Sequence, residues 1–449
     1  MFYAMIVVFV LGYACIALEH PLRINKSASA LLLGTIMWVL LVMGDPSSMV
    51  VFPDFLNFQS SNPDVNFVSW LTHGPLLEHL GETAEILFFL LGAMTIVELV
   101  DTHQGFRLIT NRITTTKKSS LLWIIGLLTF FMSAVLDNLT TSIVMIALLR
   151  KLIANKNDRW FYAGMVILAA NAGGAWSPIG DVTTIMLWIA GNISAGNIIL
   201  KTFIPSLISI LVPLFILSFT LKGNVEKPEP DTCMSEHIEI PDWQKRLIFF
   251  VGVGALLFVP VFKTVTHLPP YLGMLGGLGV LWILTELLNI KRSEHDKCCL
   301  SVTAILQKVD TPSILFFLGI LMAVAALQTF GQLSTLSGAL DQIPMEEPGK
   351  YYLITMIIGV LSSIVDNVPL VAGAMGMYSF PMDHYFWEFL AYAAGTGGSI
   401  LIIGSAAGVA VMGMEKIDFI WYLKRISWLA LVGYFAGCGV FILQQMLFS

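Results

Sequence analysis

The sequence predicts an all-α polytopic membrane protein with inverted structural repeats, about 10 transmembrane spans, and two re-entrant hairpins with broken helices at the site. Three observations support this fold class. Of the 449 residues, 56% are hydrophobic and only 12% are charged, whereas a soluble domain carries about 25% charged residues. Apolar stretches long enough to span a bilayer recur along the whole chain. One series of polar motifs also occurs twice, in the same order.

The positions of lysine and arginine predict the orientation of the spans. All but Lys201, Lys263 and Lys350 of the 24 basic residues fall in groups that can be placed together on the cytoplasmic side. Basic groups flank the apolar stretch 120–149 at both ends, which favours a re-entrant hairpin over a single crossing. Irregular backbone at that depth is tolerated only where protein or a watery cavity surrounds it, so the tip of this hairpin is a candidate site. A net charge of −6 without a long basic block excludes nucleic acid as a partner.

The internal repeat is visible in three landmarks. An apolar run beginning at Glu85 resembles one beginning at Ser313. Each run is followed by Ser-x-x-x-Asp-Asn and then by a glycine-rich break, which lies at 171–184 in the first half and at 395–408 in the second. The first run ends at a cytoplasmic basic group and the second begins after one, so the copies are expected to be inverted. Inverted repeats with broken helices are typical of secondary transporters, which bind substrate where the repeats meet.

These landmarks divide the chain into five predicted segments. Two scaffold helices and an outer segment occupy 1–84, a polar cytoplasmic linker 223–244, and further scaffold helices 245–311. The first repeat occupies 85–222, with a hairpin at 120–149 and a broken helix at 160–190. The second occupies 312–449, with a hairpin at 351–380 and a broken helix at 384–413.

Three acids, Asp137, Asp181 and Asp366, lie in otherwise apolar stretches at the predicted breaks. Placing an ionised Asp at the centre of a bilayer costs about 3 kcal/mol of free energy, so each of these acids is expected to have a functional or structural role. A buried carboxyl holds either a proton or a cation, and this competition would exchange Na⁺ or Li⁺ for H⁺. Oxygen ligands suit such hard cations; the candidates beside the acids are Asn138, Asn367, Ser133, Thr140, Thr141, Thr183, Thr184, Ser362, Ser399 and Ser405.

A purely structural interpretation remains open at this stage. An Asp beside an Asn is also a common helix cap, and paired glycines also serve close helix packing. Glu85 is either a further acid of the site or a residue at the outer membrane face. The recurrence of the Asp-Asn pair at matched positions favours a functional role.

With these motifs the chain resembles the NhaD-type sodium/proton antiporters of the ion-transporter superfamily. The resemblance runs over nearly the whole chain and rests on 133–141, 171–184, 362–367 and 395–408. It implies a multi-pass protein of the bacterial inner membrane that exports Na⁺ or Li⁺ for H⁺ and needs no cofactor. It also implies a homodimer, in which each chain has a scaffold and an elevator-like transport part.

The resemblance further implies a set of site residues in this sequence: Asp137, Asn138, Asn171, Asp181, Thr183, Thr184, Ser362, Asp366 and Asn367, with Glu85 as an additional acid. Na⁺ is expected at Asp137, Asn138, Asp181, Thr183, Asp366 and Asn367. The second half departs from the first, because Ser405 stands where Asp181 is expected and Pro369 where Thr140 is. We therefore expect the main cation site nearer the first half.

Four alternatives compete with this interpretation. Sodium-coupled dicarboxylate carriers of the same superfamily carry a neutral Ser-Asn-Thr at each hairpin tip, and two buried acids here would repel an anionic substrate. Arsenite export is a related possibility. An intramembrane aspartyl protease using Asp137 and Asp366 would need two acids that share a proton, and the Gly-x-Gly-Asp motif is missing. A channel would not need titratable acids at both tips.

Overall fold

A computed structural model describes residues 1–17, 19–106, 108, 115–226, 240–290, 292 and 300–448. Most of the linker predicted at 223–244 lies outside these ranges, because 227–239 are not among them. The same holds for five of the basic residues used to orient the spans, namely Arg107, Arg112, Lys227, Lys291 and Lys297.

The chain is helical throughout the described ranges, apart from turns, one short 3₁₀ segment at Pro46–Ser48 and an isolated bridge between Lys117 and Asn224. In chain order the helices are α1 (Phe2–Ala17), α2 (Glu19–Leu22), α3 (Lys26–Val42), α4 (Phe52–Ser61), α5 (Phe67–His73), α6 (Pro75–Thr102), α7 (Lys118–Leu136), α8 (Asn138–Leu152), α9 (Lys156–Gly174), α10 (Val182–Ile189), α11 (Ala195–Thr220), α12 (Asp242–Thr266), α13 (Pro270–Asn289), α14 (Val302–Leu306), α15 (Thr311–Phe330), α16 (Gln332–Asp341), α17 (Gly349–Leu361), α18 (Asn367–Met377), α19 (Tyr385–Gly397), α20 (Ala406–Glu415), α21 (Phe419–Arg425) and α22 (Ser427–Phe448).

Several of these helices are long and apolar enough to cross a membrane. Within the described residues there are seven: Phe67–Thr102, Lys118–Leu136, Ala195–Thr220, Asp242–Thr266, Pro270–Asn289, Thr311–Phe330 and Ser427–Leu447. Shorter apolar helices add Phe2–Ile16, Lys26–Val42, Gly349–Leu361, Asn367–Met377 and Ala406–Glu415. The protein is therefore an all-helical, multi-pass membrane protein, as the composition predicts.

The first of two compact units consists of 1–88, 310–350 and 368–381. Its centre is the close packing of α3 on α15, where Gly34 and Gly319 bring the two backbones together. A Cβ atom at Gly319 would lie 2.5 Å from the carbonyl oxygen of Ala30, so only glycine fits, as is common where apolar helices meet in a membrane. Trp38 Nε1 donates to the carbonyl oxygen of Met322 at 2.9 Å, which satisfies a polar group that lipid could not.

The second unit consists of 89–309, 351–367 and 382–449, and it contains both Asp-Asn pairs and both glycine-rich breaks. The most extensive helix–helix packing in this unit is between α11 and α22. Gly433 and Gly437 of α22 lie against carbonyl oxygens of α11: a Cβ at these positions would lie 2.2 Å from Ser209 O and 2.6 Å from Pro205 O. This pair packs beside the broken helices and supports them.

Two series of elements in the second unit share their local geometry. Ser133 Oγ of α7 donates to Ala170 O at 2.6 Å, and Ser362 Oγ, just after α17, donates to Ala394 O at 2.8 Å. In each series a serine near the hairpin tip thus bonds to the first part of a broken helix. The two serines occupy the matched positions of the Ser-x-x-x-Asp-Asn motif.

The close glycine contacts match in the same way. A Cβ at Gly173 would lie 2.2 Å from Phe130 O, and one at Gly397 would lie 1.9 Å from Gly359 O. These carbonyls belong to α7 and α17, the first helices of the two predicted hairpins. The glycine pairs at the breaks therefore let each broken helix approach its hairpin, and they do so at equivalent positions.

Candidate ion-binding site

Asp181 ends the loop between α9 and α10 and begins the second part of this broken helix. Its backbone is extended, and its Oδ1 accepts the backbone N–H of Thr183 at 3.1 Å, so it caps the eight-residue α10. Asp is a favoured residue at this position because its carboxylate satisfies a free helical N–H. The residue is only 1% exposed.

Both Asp-Asn motifs converge on the Asp181 carboxylate. Asn138 Nδ2, at the start of α8, donates to Asp181 Oδ2 at 3.3 Å. Asn367 Nδ2, at the start of α18, donates to both carboxylate oxygens at 3.3 Å. Among the residues that the structure describes, no lysine or arginine pairs with this carboxylate. Neutral amides from two halves of the sequence thus surround one buried acid.

Asn171 joins the two halves a second time. Its Oδ1 accepts from Asn138 Nδ2 at 3.1 Å, and its Nδ2 donates to the hydroxyl oxygens of Ser399 and Ser405 at 2.9 Å each. Ser405 caps α20 through Gly408 N, as Asp181 caps α10. The asparagine is fully buried, so all of these contacts lie away from solvent.

Gly395 packs directly on the Asp181 carboxyl group. A Cβ atom at position 395 would lie 3.2 Å from Asp181 Oδ2 and 3.2 Å from Ala175 Cβ, tighter than ordinary contact. Gly395 is the first residue of the second glycine-rich break, but no pattern in the sequence indicates this contact. Its signal would have been its position, which matches Asn171 in the other half.

Asp137 lies at the break between α7 and α8 with a φ of +79° and a ψ of 160°, a strained backbone conformation that is adopted almost only by glycine. Its Oδ1 accepts the backbone N–H of Thr140 at 2.7 Å, and its Oδ2 accepts the Thr140 hydroxyl at 3.0 Å. Both oxygens are thus engaged within the first turn of α8. The geometry is that of a helix N-cap.

The remaining candidates differ in where they lie. Thr184 Oγ1 donates to the backbone carbonyl of Asp181 at 2.8 Å, and the fully buried Thr141 hydroxyl has no hydrogen-bond partner. Asp366 is half-buried directly before α18, and it precedes Asn367, whose amide contacts Asp181. Glu85 belongs to the first unit, where it is half-buried on α6, whereas every other predicted site residue lies in the second.

Two buried acids of the second unit were not predicted as site residues. Glu415, 3% exposed at the end of α20, accepts from Arg150 Nε and Arg159 Nε at 2.7 Å each. Glu388, 1% exposed, accepts the Asn197 amide. Their partners lie about 190 to 265 residues away in sequence, so no local pattern reveals these contacts.

Comparison with known proteins identifies similar transporters. Residues 6–397 match the profile of a family described as Citrate transporter. Sodium/proton antiporter 1 of Arabidopsis thaliana is 48% identical over 444 residues, which cover 98% of this chain and 72% of that protein. Sodium/proton antiporter 2 of the same plant is 44% identical, with 98% of each chain covered. The Na⁺/H⁺ antiporter NhaD of Alkalimonas amylolytica is 31% identical, covering 97% of this chain and 89% of that protein.

The chain belongs to the NhaD-type antiporter family. The resemblance seen in the motifs is thereby confirmed, and the match covers 72%, 98% and 89% of the lengths of these three relatives. Members of this transporter family are not enzymes, so the intramembrane protease alternative is set aside.

Proposed function

We propose that the protein exchanges Na⁺ or Li⁺ for H⁺ and that Asp181 carries the two ions alternately. The observation that carries this proposal is the setting of the carboxylate: it is 1% exposed, and amides of Asn138 and Asn367 contact it. An ionised carboxylate that is buried without a cationic partner is strongly destabilised. A bound proton or a bound monovalent cation each removes this cost.

The neighbouring acids strengthen the need for neutralisation. Asp137 and Asp366 directly precede the two asparagines that contact the Asp181 carboxylate, and like charges in a low-dielectric setting repel each other. A cation at Asp181 is attracted by all three carboxylates. A proton bound there neutralises one of the three negative charges. Because the two ions compete for one group, binding of either releases the other, and alternating access of this group would couple their movements.

The names of the relatives support the same function. Both plant relatives and the bacterial relative quoted above are named as sodium/proton antiporters. For this chain we propose Na⁺ contacts at Asp137, Asn138, Asp181, Thr183, Asp366 and Asn367, with Asp181 as the principal acid. Asp137, whose oxygens are engaged by Thr140, serves mainly to hold the tip of the first hairpin.

We also propose that segments 85–222 and 312–449 are inverted repeats, with about 10 spans and two re-entrant hairpins in the whole chain. The matched bonds of Ser133 and Ser362 and the matched glycine contacts of Gly173 and Gly397 support the repeat. The remaining spans would form a scaffold, and two chains would associate as a homodimer.

The membrane and the orientation are part of the proposal. We place the basic groups on the cytoplasmic side, following the general bias of lysine and arginine. The bacterial NhaD relatives favour a bacterial inner membrane, whereas two of the relatives come from a plant. In either case the membrane must maintain a proton gradient for the exchange to export sodium.

Citrate transport is the second candidate, because the matching family profile is described as Citrate transporter. A tricarboxylate needs cationic or strongly donating groups at its site. The described surroundings of Asp181 instead combine acids, amides and hydroxyls. This arrangement favours a cation over an anion.

Everted membrane vesicles separate the two candidates. A pH gradient is established by respiration and followed with a fluorescent probe, and NaCl, LiCl, KCl or choline chloride is then added. We expect Na⁺ or Li⁺ to dissipate the gradient only in vesicles that contain the protein, without an effect of choline. Uptake of labelled citrate without any cation-driven proton movement would establish the second candidate and overturn the first.

A further inference from the structure

The second unit contains two half-sites, one around Asp181 and one around Ser405. Their backbone geometry, the frame of each half-site, is the same, but the side chains that fill them differ. Asp181 and Ser405 have nearly the same backbone conformation, with φ and ψ of −143° and 146° and of −144° and 153°. Each caps the second part of a broken helix. Serines at matched positions, Ser133 and Ser362, tie both frames to their hairpins. The frame alone therefore offers two equivalent places for an ion.

The difference between the two half-sites arises at one pair of matched positions, 171 and 395. In the second half position 395 is glycine, and the Asp181 carboxylate occupies the space that a side chain there would need. In the first half the matched residue is Asn171, whose side chain crosses into the second half-site. Its Nδ2 lies 2.9 Å from the hydroxyl oxygens of both Ser399 and Ser405.

We propose that Asn171 fills the second half-site permanently, so that the protein binds a single cation per chain at Asp181. The amide group stands where hydroxyl oxygens of Ser399 and Ser405 would otherwise face a cation. The interpretation depends on the space that the side chain occupies, not on which amide atom is nitrogen. This inference rests on the proposed function and adds the number of ions and the residue that fixes it.

The side chain of Asn171 has a second role, because it also forms a hydrogen bond with Asn138. Asn138 Nδ2 reaches both Asn171 Oδ1 and Asp181 Oδ2, so the filled half-site also orients an amide of the occupied one. Asn171 is therefore a positioning and specificity residue. Removing its side chain opens one site and loosens the other.

The test counts bound ions. Purified protein is titrated with radioactive Na⁺ at fixed pH in a scintillation proximity assay, and the number of ions per chain is obtained at saturation. We expect one Na⁺ for the wild type and two for Asn171→Gly, with the first ion bound more weakly than in the wild type. The double variant Asn171→Gly/Ser405→Ala is the matched control, and it is expected to bind one.

Each other outcome has a defined meaning. Two ions bound by the wild type, or only one ion bound by a folded Asn171→Gly at any affinity, would overturn the proposal. Loss of all binding by folded Asn171→Gly would also overturn it, because Asn171 would then belong to the Asp181 site. If Asn171→Gly does not fold, Asn171→Ser is counted under the same criteria. Failure of the proposed function is distinct, since the wild type would then bind no Na⁺ and dissipate no pH gradient.

Discussion

Asn367 donates its side-chain amide to both carboxylate oxygens of Asp181, with Nδ2 3.3 Å from each. These residues lie 186 positions apart in the sequence, and each stands at the start of a helix. The tip of the second Asp-Asn motif is therefore in direct contact with the acid that caps the first broken helix. Residues from both halves of the chain therefore contact the Asp181 carboxylate.

The first prediction concerns these amides. Asn367→Ala and Asn138→Ala each remove a donor to a charged group, which is worth about 1.5–3 kcal/mol. We expect each substitution to raise the Na⁺ concentration for half-maximal exchange roughly ten- to hundredfold. Asn155→Ala is the control, because Asn155 caps α9 at an exposed position. An unchanged sodium dependence in both variants would show that the amides have no part in binding.

The second prediction separates a helix cap from an ion-carrying acid at Asp137. Asn caps helices as well as Asp does and has nearly the same size and shape, so the strain at this position is unchanged and Asp137→Asn should keep its thermal stability and a measurable exchange rate. Asp137→Ala should lose about 1 kcal/mol of stability through the lost cap. Thermal unfolding and vesicle exchange are measured on both variants. If Asp137→Asn folds normally yet abolishes exchange, Asp137 itself carries an ion.

The third prediction tests the close approach of the broken helices to the hairpins. Gly173→Ala and Gly397→Ala would place a Cβ about 2 Å from backbone carbonyls, which cannot move independently. We expect both variants to be strongly destabilised in thermal unfolding and to lose exchange. Gly413→Ala in α20 is the matched control, because a Cβ there meets nothing within 4 Å. Since alanine favours helices over glycine, the control should be at least as stable as the wild type.

The fourth prediction concerns Glu415, which ties the end of α20 to α8 and α9. Leaving a buried charge without any partner costs about 3–5 kcal/mol, and each arginine substitution removes one of the two partners of Glu415, so each should cost less than that. The side chain of Arg159 is 18% exposed and that of Arg150 is 47% exposed. We therefore expect Arg159→Gln to lower the unfolding temperature more than Arg150→Gln. The opposite order would show that exposure does not govern these two contacts.

The sequence predicted the helical membrane fold and the segments that contain the candidate site. Its signals were local: apolar length, a repeated Ser-x-x-x-Asp-Asn, and glycines at matched positions. The breaks observed at Asp137 and before Asp181 coincide with these motifs. Such patterns report the conformation of a short segment, which is set by its own residues.

The contacts between distant segments could not be predicted in this way. Asn171 reaches Ser399 and Ser405 across 228 and 234 residues, and the space beside Gly395 is filled by Asp181. Which side chain occupies a shared space depends on packing in three dimensions, and no periodicity or spacing encodes it. For the same reason no sequence pattern indicates the contacts of Glu415 with Arg150 and Arg159.

The central claim is that the Asp181 carboxylate carries the exchanged ions, and one comparison tests it most directly. Asp181→Asn and Asp418→Asn are assayed for Na⁺-driven dissipation of a pH gradient in everted vesicles. Both acids are helix caps that accept a backbone N–H through Oδ1, but Asp418 is exposed. Because Asn also caps helices, the two substitutions make the same structural change. We predict that Asp181→Asn is folded but abolishes exchange, whereas Asp418→Asn retains it. Normal exchange by Asp181→Asn would contradict the account.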